Sequence, residues 1–486
     1  MTSAWPLFNV RHFGAVGDGV SDDTAPIQQA LDAALAAGRG IVQFGAGTFA
    51  TTPLRFHGRT RIVGMGRGVT VLKLKDGYVV PNEYGQQHAL LSPALWKTAA
   101  FTDDATIAFL TLDANRQGID VSQHPSGEAD AYCLLLAGVR GFSGYDLSLI
   151  NGISDGLDLA QFGAGFINEN VSLARVLVDS CWRNGVTIGA GKGIHLSDFI
   201  VTNTGGTAPQ AALDIEPNTA SNPCEDITLH NWVGRNNGQG VLISGGGLGK
   251  VIRRVKISNH SHHAITLNRA LAIDDADAVQ VSNWYSDQSL IAGSDPGLVI
   301  NDSTNVQACN VQLVRPGTGV SITGSSTFDL SNVSVDAPKL NGYTDVAGAS
   351  GTVTNLQILN GSRTIGWLGI EAYSAGVRFI SPVVEAGGQG VYALQTHADD
   401  VTFVGGRIDA WSTGAVHFGA SFRPRFLGTI VDGEVWQMVG QSTVLPPPSA
   451  SYRGQIRLLE GSAGIADSLV CCKQAADGGY VWQALG

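Results

Sequence analysis

Short strands that recur at a nearly constant spacing are the feature of this sequence that most constrains its fold. Five short segments alternate apolar and polar residues in the same way, and their first apolar residues are Leu157, Val186, Leu213, Val241 and Ile265. The spacings are therefore 29, 27, 28 and 24 residues. One such unit is too short to bury its own apolar side, so successive units must stack and share one core. The pattern predicts the coils of a parallel β-helix.

Two other repeat folds do not fit this sequence. The Leu-x-x-Leu-x-Leu consensus of leucine-rich repeats is missing, and a β-propeller needs a longer unit of four strands. A helix is predicted at residues 24–37, because apolar residues recur at helical spacing after Ser21–Thr24 and Gly38 follows. We expect this helix to cap the first coil and hide its unpaired strand edges. The predicted fold class is all-β, a right-handed single-stranded parallel β-helix with an N-terminal capping helix and a small C-terminal β module.

The sequence also predicts how the chain divides into domains. The capped β-helix should span residues 1–440, because strand character continues to about residue 440. Three consecutive prolines at 446–448 indicate a linker over 441–448, and residues 449–486 read as the small β module. The 6 cysteines are scattered, with no spacing typical of a disulfide framework or a zinc site, so we expect neither a metal nor another cofactor.

Charge and hydropathy exclude several classes of partner. The formal net charge is −11, which disfavours nucleic-acid backbones and anionic membranes as partners. No run of about 20 apolar residues is present, so we expect no membrane insertion. The first residues lack a basic segment followed by an apolar one, which predicts that there is no signal peptide.

Three segments resemble the pectate-lyase-like β-helix superfamily: Asn9–Thr24, Ile62–Gly66 and Leu110–Arg116. That superfamily contains polygalacturonase-like hydrolases, mannuronan epimerases and phage tailspike depolymerases. Residues 449–486 resemble modules that close phage tail fibres and tailspikes. The resemblance implies a parallel β-helix that acts on a polysaccharide, located in a virion tail or outside the cell. By analogy with tailspikes it also implies a homotrimer, which an adaptor protein would attach to the tail.

The alternation of side chains along the predicted strands places carboxylates on one face. Asp158 and Asp214 share an outward column on either side of Thr187, with backbones about 10 Å apart, and Glu216 lies about 7 Å further along the strand. Two carboxyl groups at such separations are what an inverting glycoside hydrolase needs. The same residues could instead bind calcium or form a solvated face. Asp155 is either a fourth catalytic candidate or a turn residue.

The turns that flank this face contain residues typical of sugar-binding sites. Trp182 and Arg183 are adjacent, and Arg235, His262 and His263 follow in later coils. Sugars stack on aromatic rings and accept hydrogen bonds from guanidinium groups, so we predict that these five residues bind the substrate. Ordinary turn packing is the alternative interpretation.

The predicted function is a polysaccharide depolymerase that hydrolyses a host surface glycan. The first alternative is a lyase acting on a uronate-containing glycan, and the second is a non-catalytic receptor-binding or structural tail protein. Where mannuronan epimerases carry a Tyr, an Asp and a His, this sequence retains only Asp158, with Asp155 and Ala160 at the other positions. Epimerisation is therefore not favoured.

Overall fold

The computed structural model describes most of the chain. The described residues are 4–80, 88–96, 98, 100–120, 131–160, 166–291, 293–361, 368–385, 392–398, 401–409, 414–418, 424–432, 434–442, 447–448, 453, 455–459, 468–476 and 478–484. They fall into two compact units. The first unit comprises Met1–Gly293 and Leu298–Gln307, and the second comprises Ser294–Gly297 and Ala308–Gly486.

One α-helix, Thr24–Ala36, stands near the N-terminus as the sequence predicts. Its buried side chains are Ile27, Ala30, Leu31 and Ala34, which lie on one face because they are three or four residues apart. This face packs against the first strands of the first unit. Two short 3-10 helices, Val10–Phe13 and Arg116–Gly118, complete the helical structure of the described residues. No helix in the described ranges is both long and apolar enough to cross a bilayer.

Parallel strands stack in two sheets within the first unit. The short-strand sheet of this unit consists of Leu54–Phe56, His88–Pro93, Ala131–Ala137, Leu157–Ala160, Val186–Ile188, Ala211–Ile215, Gln239–Ser244, Leu271–Asp274 and Leu298–Asn301. The long-strand sheet consists of Leu7–Asn9, Asp18–Asp22, Gly40–Gln43, Gly47–Thr51, Thr60–Val63, Thr70–Leu74, Thr102–Asp103, Thr106–Asp113, Val139–Arg140, Ser143–Ile150, Asn168–Asp179, Gly191–Thr202, Cys224–Arg235, Ile252–His263 and Ala276–Asp287. This architecture confirms the predicted all-β parallel β-helix.

The second unit continues with the same two kinds of strand. Its short strands are Val320–Thr323, Tyr343–Thr344, Ile370–Ala372, Tyr392–Thr396 and Gly414–Phe418. Its longer sheet contains Val306–Val314, which begins in the first unit, and then Thr327–Asp336, Ser350–Leu359, Gly376–Ile380, Val383–Val384, Thr402–Val404, Arg407–Ile408, Arg425–Val431, Glu434–Ser442, Gln455–Leu459, Ser468–Gln474 and Tyr480–Ala484. Antiparallel pairing first occurs between Arg425–Val431 and Glu434–Ser442. The domain boundaries at 440 and 449 stay a prediction, and much of 441–448 lies outside the described residues.

Two local devices explain why this sequence forms coils. A methyl group on Gly185 would lie 2.8 Å from the Ala212 carbonyl oxygen of the next coil, so the glycine of the repeat permits close stacking of coils. The 12-residue strands bend where asparagines adopt left-handed backbone angles, which Asn tolerates better than most residues. At these bends Asn259 Nδ2 donates to Asn231 Oδ1 at 3.1 Å, and Asn283 Nδ2 donates to Asn259 Oδ1 at 2.8 Å. The resulting ladder satisfies amide groups from one coil to the next.

The predicted fifth repeat is wrong. The sequence aligns His263–Leu267 with the preceding short strands, but the strand that pairs with Gln239–Ser244 is Leu271–Asp274. Residues 264–270 form a connection instead, and Leu267 is 51% exposed although it was expected inside. The longer connection shifts the repeat by six residues, which alternation alone does not reveal.

Candidate active site

Two of the carboxylates singled out in the sequence, Asp158 and Asp214, lie on the first and the third of three neighbouring short strands. Asp158 pairs in register with Thr187, and Thr187 pairs with Asp214. The predicted column is therefore confirmed, and the two aspartates stand two strands apart. Glu216 follows directly after the strand of Asp214, and its backbone N–H donates to the Ile188 carbonyl at 3.1 Å.

The expected exposure of these aspartates is wrong, because Asp155, Asp158 and Asp214 are all buried. The column that contains them continues on one side into Leu135 and on the other into Leu242. Leu135 belongs to an apolar cluster with Ala89, Trp96, Tyr132, Ala137 and Ala160. Apolar side chains thus flank the column on the same face of the sheet, and three of the four carboxyl groups are removed from water.

Asp155 is held by hydrogen bonds from the following coil. It occupies the turn before the strand Leu157–Ala160, as predicted. The backbone N–H of Asn184 donates to Asp155 Oδ1 at 2.9 Å, and the Thr187 hydroxyl donates to Oδ2 at 2.6 Å. Arg183 Nη1 donates to Oδ2 at 3.3 Å. Burial raises the pKa of the Asp155 carboxyl, and the Arg183 charge and these hydrogen bonds oppose the rise.

Asp214 has the most perturbed carboxyl group of this site. Its Oδ2 accepts from Asn184 Nδ2 at 3.2 Å, whereas its Oδ1 is buried without a hydrogen-bond partner in the described structure. Burial and the negative charge of Glu216 raise its pKa to about 7, against an ordinary 3.8. A carboxyl group that is half protonated at neutral pH can donate a proton, and its unpartnered oxygen can meet a ligand atom.

Arg183 connects the buried carboxylates with the solvent edge of the site. Its guanidinium lies 3.3 Å from Asp155 Oδ2 and 3.7 Å from Glu216 Oε2. The Arg183 side chain is 24% exposed and that of Glu216 is 45% exposed, against 1% for Asp155. The two outer residues therefore form the solvent-exposed side of the site, whereas Asp155 and Asp214 are buried. We call Asp155, Arg183, Asn184, Thr187, Asp214 and Glu216 the carboxylate cluster.

Asn184 is the member of the carboxylate cluster that the sequence did not single out. Its Nδ2 donates to Asp214 and to the Thr187 hydroxyl at 3.1 Å, and its Oδ1 accepts from the Ala211 backbone N–H at 2.9 Å. Asn184 and Asp155 both precede a glycine, and each accepts a backbone N–H from the next coil. The sequence signal for this hydrogen bond between coils is an Asp or Asn that precedes a Gly and recurs at the period of the repeat.

Trp182 lies at a turn beside the carboxylate cluster, as predicted. The guanidinium carbon of Arg116 stands 3.3 Å from the centre of its ring, and its indole N–H donates to the Thr207 hydroxyl at 3.1 Å. The indole is thus half-buried, with one ring face used internally. Arg116 is a second residue that the sequence-based site did not contain.

The predicted turn position of His262 is wrong. It belongs to the strand Ile252–His263, and its ring stacks on Trp284 with centres 4.7 Å apart. Both imidazole nitrogens are buried without hydrogen-bond partners, and burial lowers the pKa to about 3. His262 is therefore a core residue. Arg235 and His263 end neighbouring long strands and pair in register, and neither takes part in the hydrogen bonds of the carboxylate cluster described above.

Comparisons with known proteins identify the fold family. The family "Rhamnogalacturonase A/epimerase, pectate lyase-like" matches residues 7–131. The N-terminal fragment of gene product 12 of bacteriophage phi29 superposes with a TM-score of 0.56 at 14% identity, over 89% of this chain and 76% of that one. Residues 7–131 match this family, and the described structure has the parallel β-helix fold of the pectate-lyase-like superfamily.

Two curated relatives of this pectate-lyase-like β-helix come from Azotobacter vinelandii. A mannuronan C5-epimerase is 37% identical over 139 residues, which are 26% of this chain and 12% of the epimerase. Alginate lyase 7 is 32% identical over 139 residues, 26% of this chain and 14% of the lyase. The aligned part is therefore about an eighth of these relatives' length. The family match ends at residue 131, before Asp155, so it does not reach the carboxylate cluster of this β-helix.

Proposed function

We propose that this protein is a polysaccharide-acting enzyme that hydrolyses glycosidic bonds at the carboxylate cluster. The observation that carries the proposal is Asp214, a buried carboxyl group with a pKa of about 7 and an unpartnered Oδ1. A general acid must be protonated near the working pH, and a buried carboxyl group beside another carboxylate meets that need. Membership in a superfamily that contains polysaccharide-modifying enzymes supports the same reaction class.

In this mechanism Asp214 protonates the leaving oxygen and Glu216 activates the attacking water. Asp214 lies on the strand Ala211–Ile215 and Glu216 follows directly after it, two positions further along, which corresponds to about 7 Å between backbones. Inverting glycosidases hold their carboxyl groups about 6.5–9.5 Å apart, so the spacing favours inversion. Glu216 is the more exposed of the pair, as a water-activating base must be. Asp158, two strands from Asp214, is the alternative base.

The other members of the carboxylate cluster position this pair. The Arg183 guanidinium contacts Glu216 on its exposed side and Asp155 on its buried side. Its positive charge offsets the negative charge of these two carboxylates and of Asp214. Asn184 binds Asp214 Oδ2, which leaves Oδ1 as the oxygen that faces the substrate. Trp182 would support a sugar ring beside Arg183. Arg235 and His263 stay candidates for more distant contacts with a long glycan.

A lyase that acts on a uronate-containing glycan is the second candidate function. The similarity to a mannuronan C5-epimerase and to alginate lyase 7 favours it. In that reaction Arg183 would neutralise the uronate carboxylate, and protonated Asp214 would donate a hydrogen bond to it. A location in a virion tail or outside the cell, a homotrimer and attachment through an adaptor protein remain part of the proposal, supported by the resemblance to tailspikes.

Activity assays on purified capsular and lipopolysaccharide glycans test the proposal. We expect hydrolysis products by mass spectrometry, with a rate that falls above about pH 7 as Asp214 loses its proton. Asp214→Asn and Glu216→Gln should each lower turnover by about 10²–10⁴-fold. Asp329→Asn, which changes an exposed carboxylate on Thr327–Asp336, is the control and should keep full activity.

Two outcomes would contradict hydrolysis at this site. Products that absorb in the near ultraviolet would identify a lyase instead. Full activity in all of Asp214→Asn, Glu216→Gln and Asp158→Asn would remove the carboxylate cluster from catalysis.

A further inference from the structure

A second group of polar and aromatic side chains lies on short strands of the second unit. Thr344, Glu371 and Gln395 pair in register across three parallel strands. Tyr373 and His397 come two residues after Glu371 and Gln395, so they occupy neighbouring positions of the next outward column. Their rings stack with centres 4.1 Å apart and planes 6° from parallel.

Glu371 fixes both rings. The Tyr373 hydroxyl donates to Glu371 Oε1 at 2.8 Å, and His397 Nε2 lies 3.4 Å from the same oxygen. Asn341 Nδ2 donates to Oε2 at 2.7 Å. The backbone N–H of Tyr373 also donates to buried Asp345 at 2.7 Å. The hydroxyl and the backbone N–H of Tyr373 are therefore both oriented before any ligand arrives, which lowers the entropic cost of binding.

The Tyr373 ring nevertheless remains open to solvent. The residue is 37% exposed, although His397 stacks on its ring and Glu371 binds its hydroxyl. These two contacts therefore leave part of Tyr373 accessible to a ligand. A rigid aromatic face beside carboxylate and amide groups matches the two sides of a pyranose, whose C–H groups pack on aromatic rings and whose hydroxyls donate to carboxylates.

We propose that Tyr373, His397 and Glu371 form a carbohydrate-binding site for a neutral sugar ring, separate from the carboxylate cluster. Glu371 and Asp345 would repel an anionic sugar, so the site selects uncharged residues of a glycan. The inference rests on the proposed function for its ligand class, because a polysaccharide-acting enzyme gains affinity from sites that bind further parts of its substrate.

Binding measurements on the full chain test this site. The probes are maltohexaose, cellohexaose and mannohexaose, with hexagalacturonate as the anionic comparison, followed by isothermal calorimetry. We expect at least one neutral hexamer to bind more tightly than hexagalacturonate. Tyr373→Ala should weaken that binding about five- to tenfold, whereas Tyr373→Phe keeps the ring and should stay within about twofold.

Leu427→Ala is the matched control, because Leu427 is an exposed large side chain elsewhere in the same unit, on Arg425–Val431. Should Tyr373→Ala lower the melting temperature, His397→Ala provides a second test of the stack. The inference is overturned if no neutral hexamer binds, if hexagalacturonate binds best, or if a folded Tyr373→Ala or His397→Ala protein binds like its parent.

The active-site variant Asp214→Asn separates this inference from the proposed function. If the parent protein cleaves no glycan but binds one in a Tyr373-dependent way, the binding site stands and the proposed hydrolysis is overturned. Glycan cleavage abolished by Asp214→Asn, together with binding that is indifferent to Tyr373, would do the reverse.

Discussion

Replacing Asp214 by asparagine should stabilise the protein, and the gain should depend on pH. The parent buries a carboxyl group whose Oδ1 has no partner and whose pKa is about 7. Asparagine has nearly the same shape and cannot ionise, so it resembles the protonated aspartic acid that the folded protein prefers. The variant therefore avoids the cost of a charge in this buried position.

The magnitude follows from the difference between the folded and the unfolded pKa. Between pH 3.8 and about 7 the unfolded chain ionises Asp214 while the folded protein keeps it protonated. Unfolding then releases a proton, so the free energy of unfolding falls as the pH rises through this range and is lowest above pH 7. At 1.36 kcal/mol per pKa unit, the loss from this one group is roughly 4 kcal/mol. The free energy of unfolding of the Asp214→Asn variant should not fall in this way as the pH rises.

Unfolding of both proteins between pH 4 and pH 8 measures the difference. The advantage of Asp214→Asn should grow with pH and level off above pH 7, and other titrating groups cancel because both proteins contain them. Asp226→Asn is the control whose difference should not change with pH in this range. A hydrogen bond from Arg254 lowers the pKa of Asp226, so the stability that this carboxylate contributes is lost only as the pH falls below its unfolded value of 3.8, and the variant should be less stable by the same amount from pH 4 to pH 8. A pH-independent difference for Asp214→Asn would refute the reasoning.

Two further predictions concern charge in the core. Arg183→Met should lower the free energy of unfolding at pH 8 by about 3 kcal/mol, because it leaves buried Asp155 without its cation. Arg175→Met removes an exposed ion pair and should cost much less than Arg183→Met in the same denaturation assay. Equal losses would contradict the role given to Arg183. As the pH falls from 7 to 4, the free energy of unfolding of His262→Leu should rise by roughly 3 kcal/mol relative to that of its parent. The reason is that the unfolded imidazole binds a proton below pH 6.5, whereas the folded one does not until about pH 3. Parallel pH curves for parent and variant, measured by thermal unfolding, would place the His262 ring outside the core.

The sequence by itself determined that the chain forms stacked coils and how the short strands of the first four predicted repeats pair in register. A 27- to 29-residue period leaves few ways to bury the apolar sides of Leu157, Val186, Leu213 and Val241, so stacking in register follows from it. Alternation with period two then places Asp158 and Asp214 in one column, because strand geometry fixes which residues share a face. The glycines before Leu157, Val186 and Val241 are equally local, since close stacking requires them.

The tertiary structure decided what surrounds those residues. Alternation assigns Asp214 to the outer face but cannot say that the side chain is buried there, and this burial is the main cause of its raised pKa. Likewise, His262 enters the core because a long strand continues past the expected turn. The pairing of Arg183 with Asp155, 28 residues earlier, and of Tyr373 with His397, 24 residues later, depends on how coils superpose. Contacts between coils are set by the lengths of the connections, which vary from one repeat to the next and carry no periodic signal.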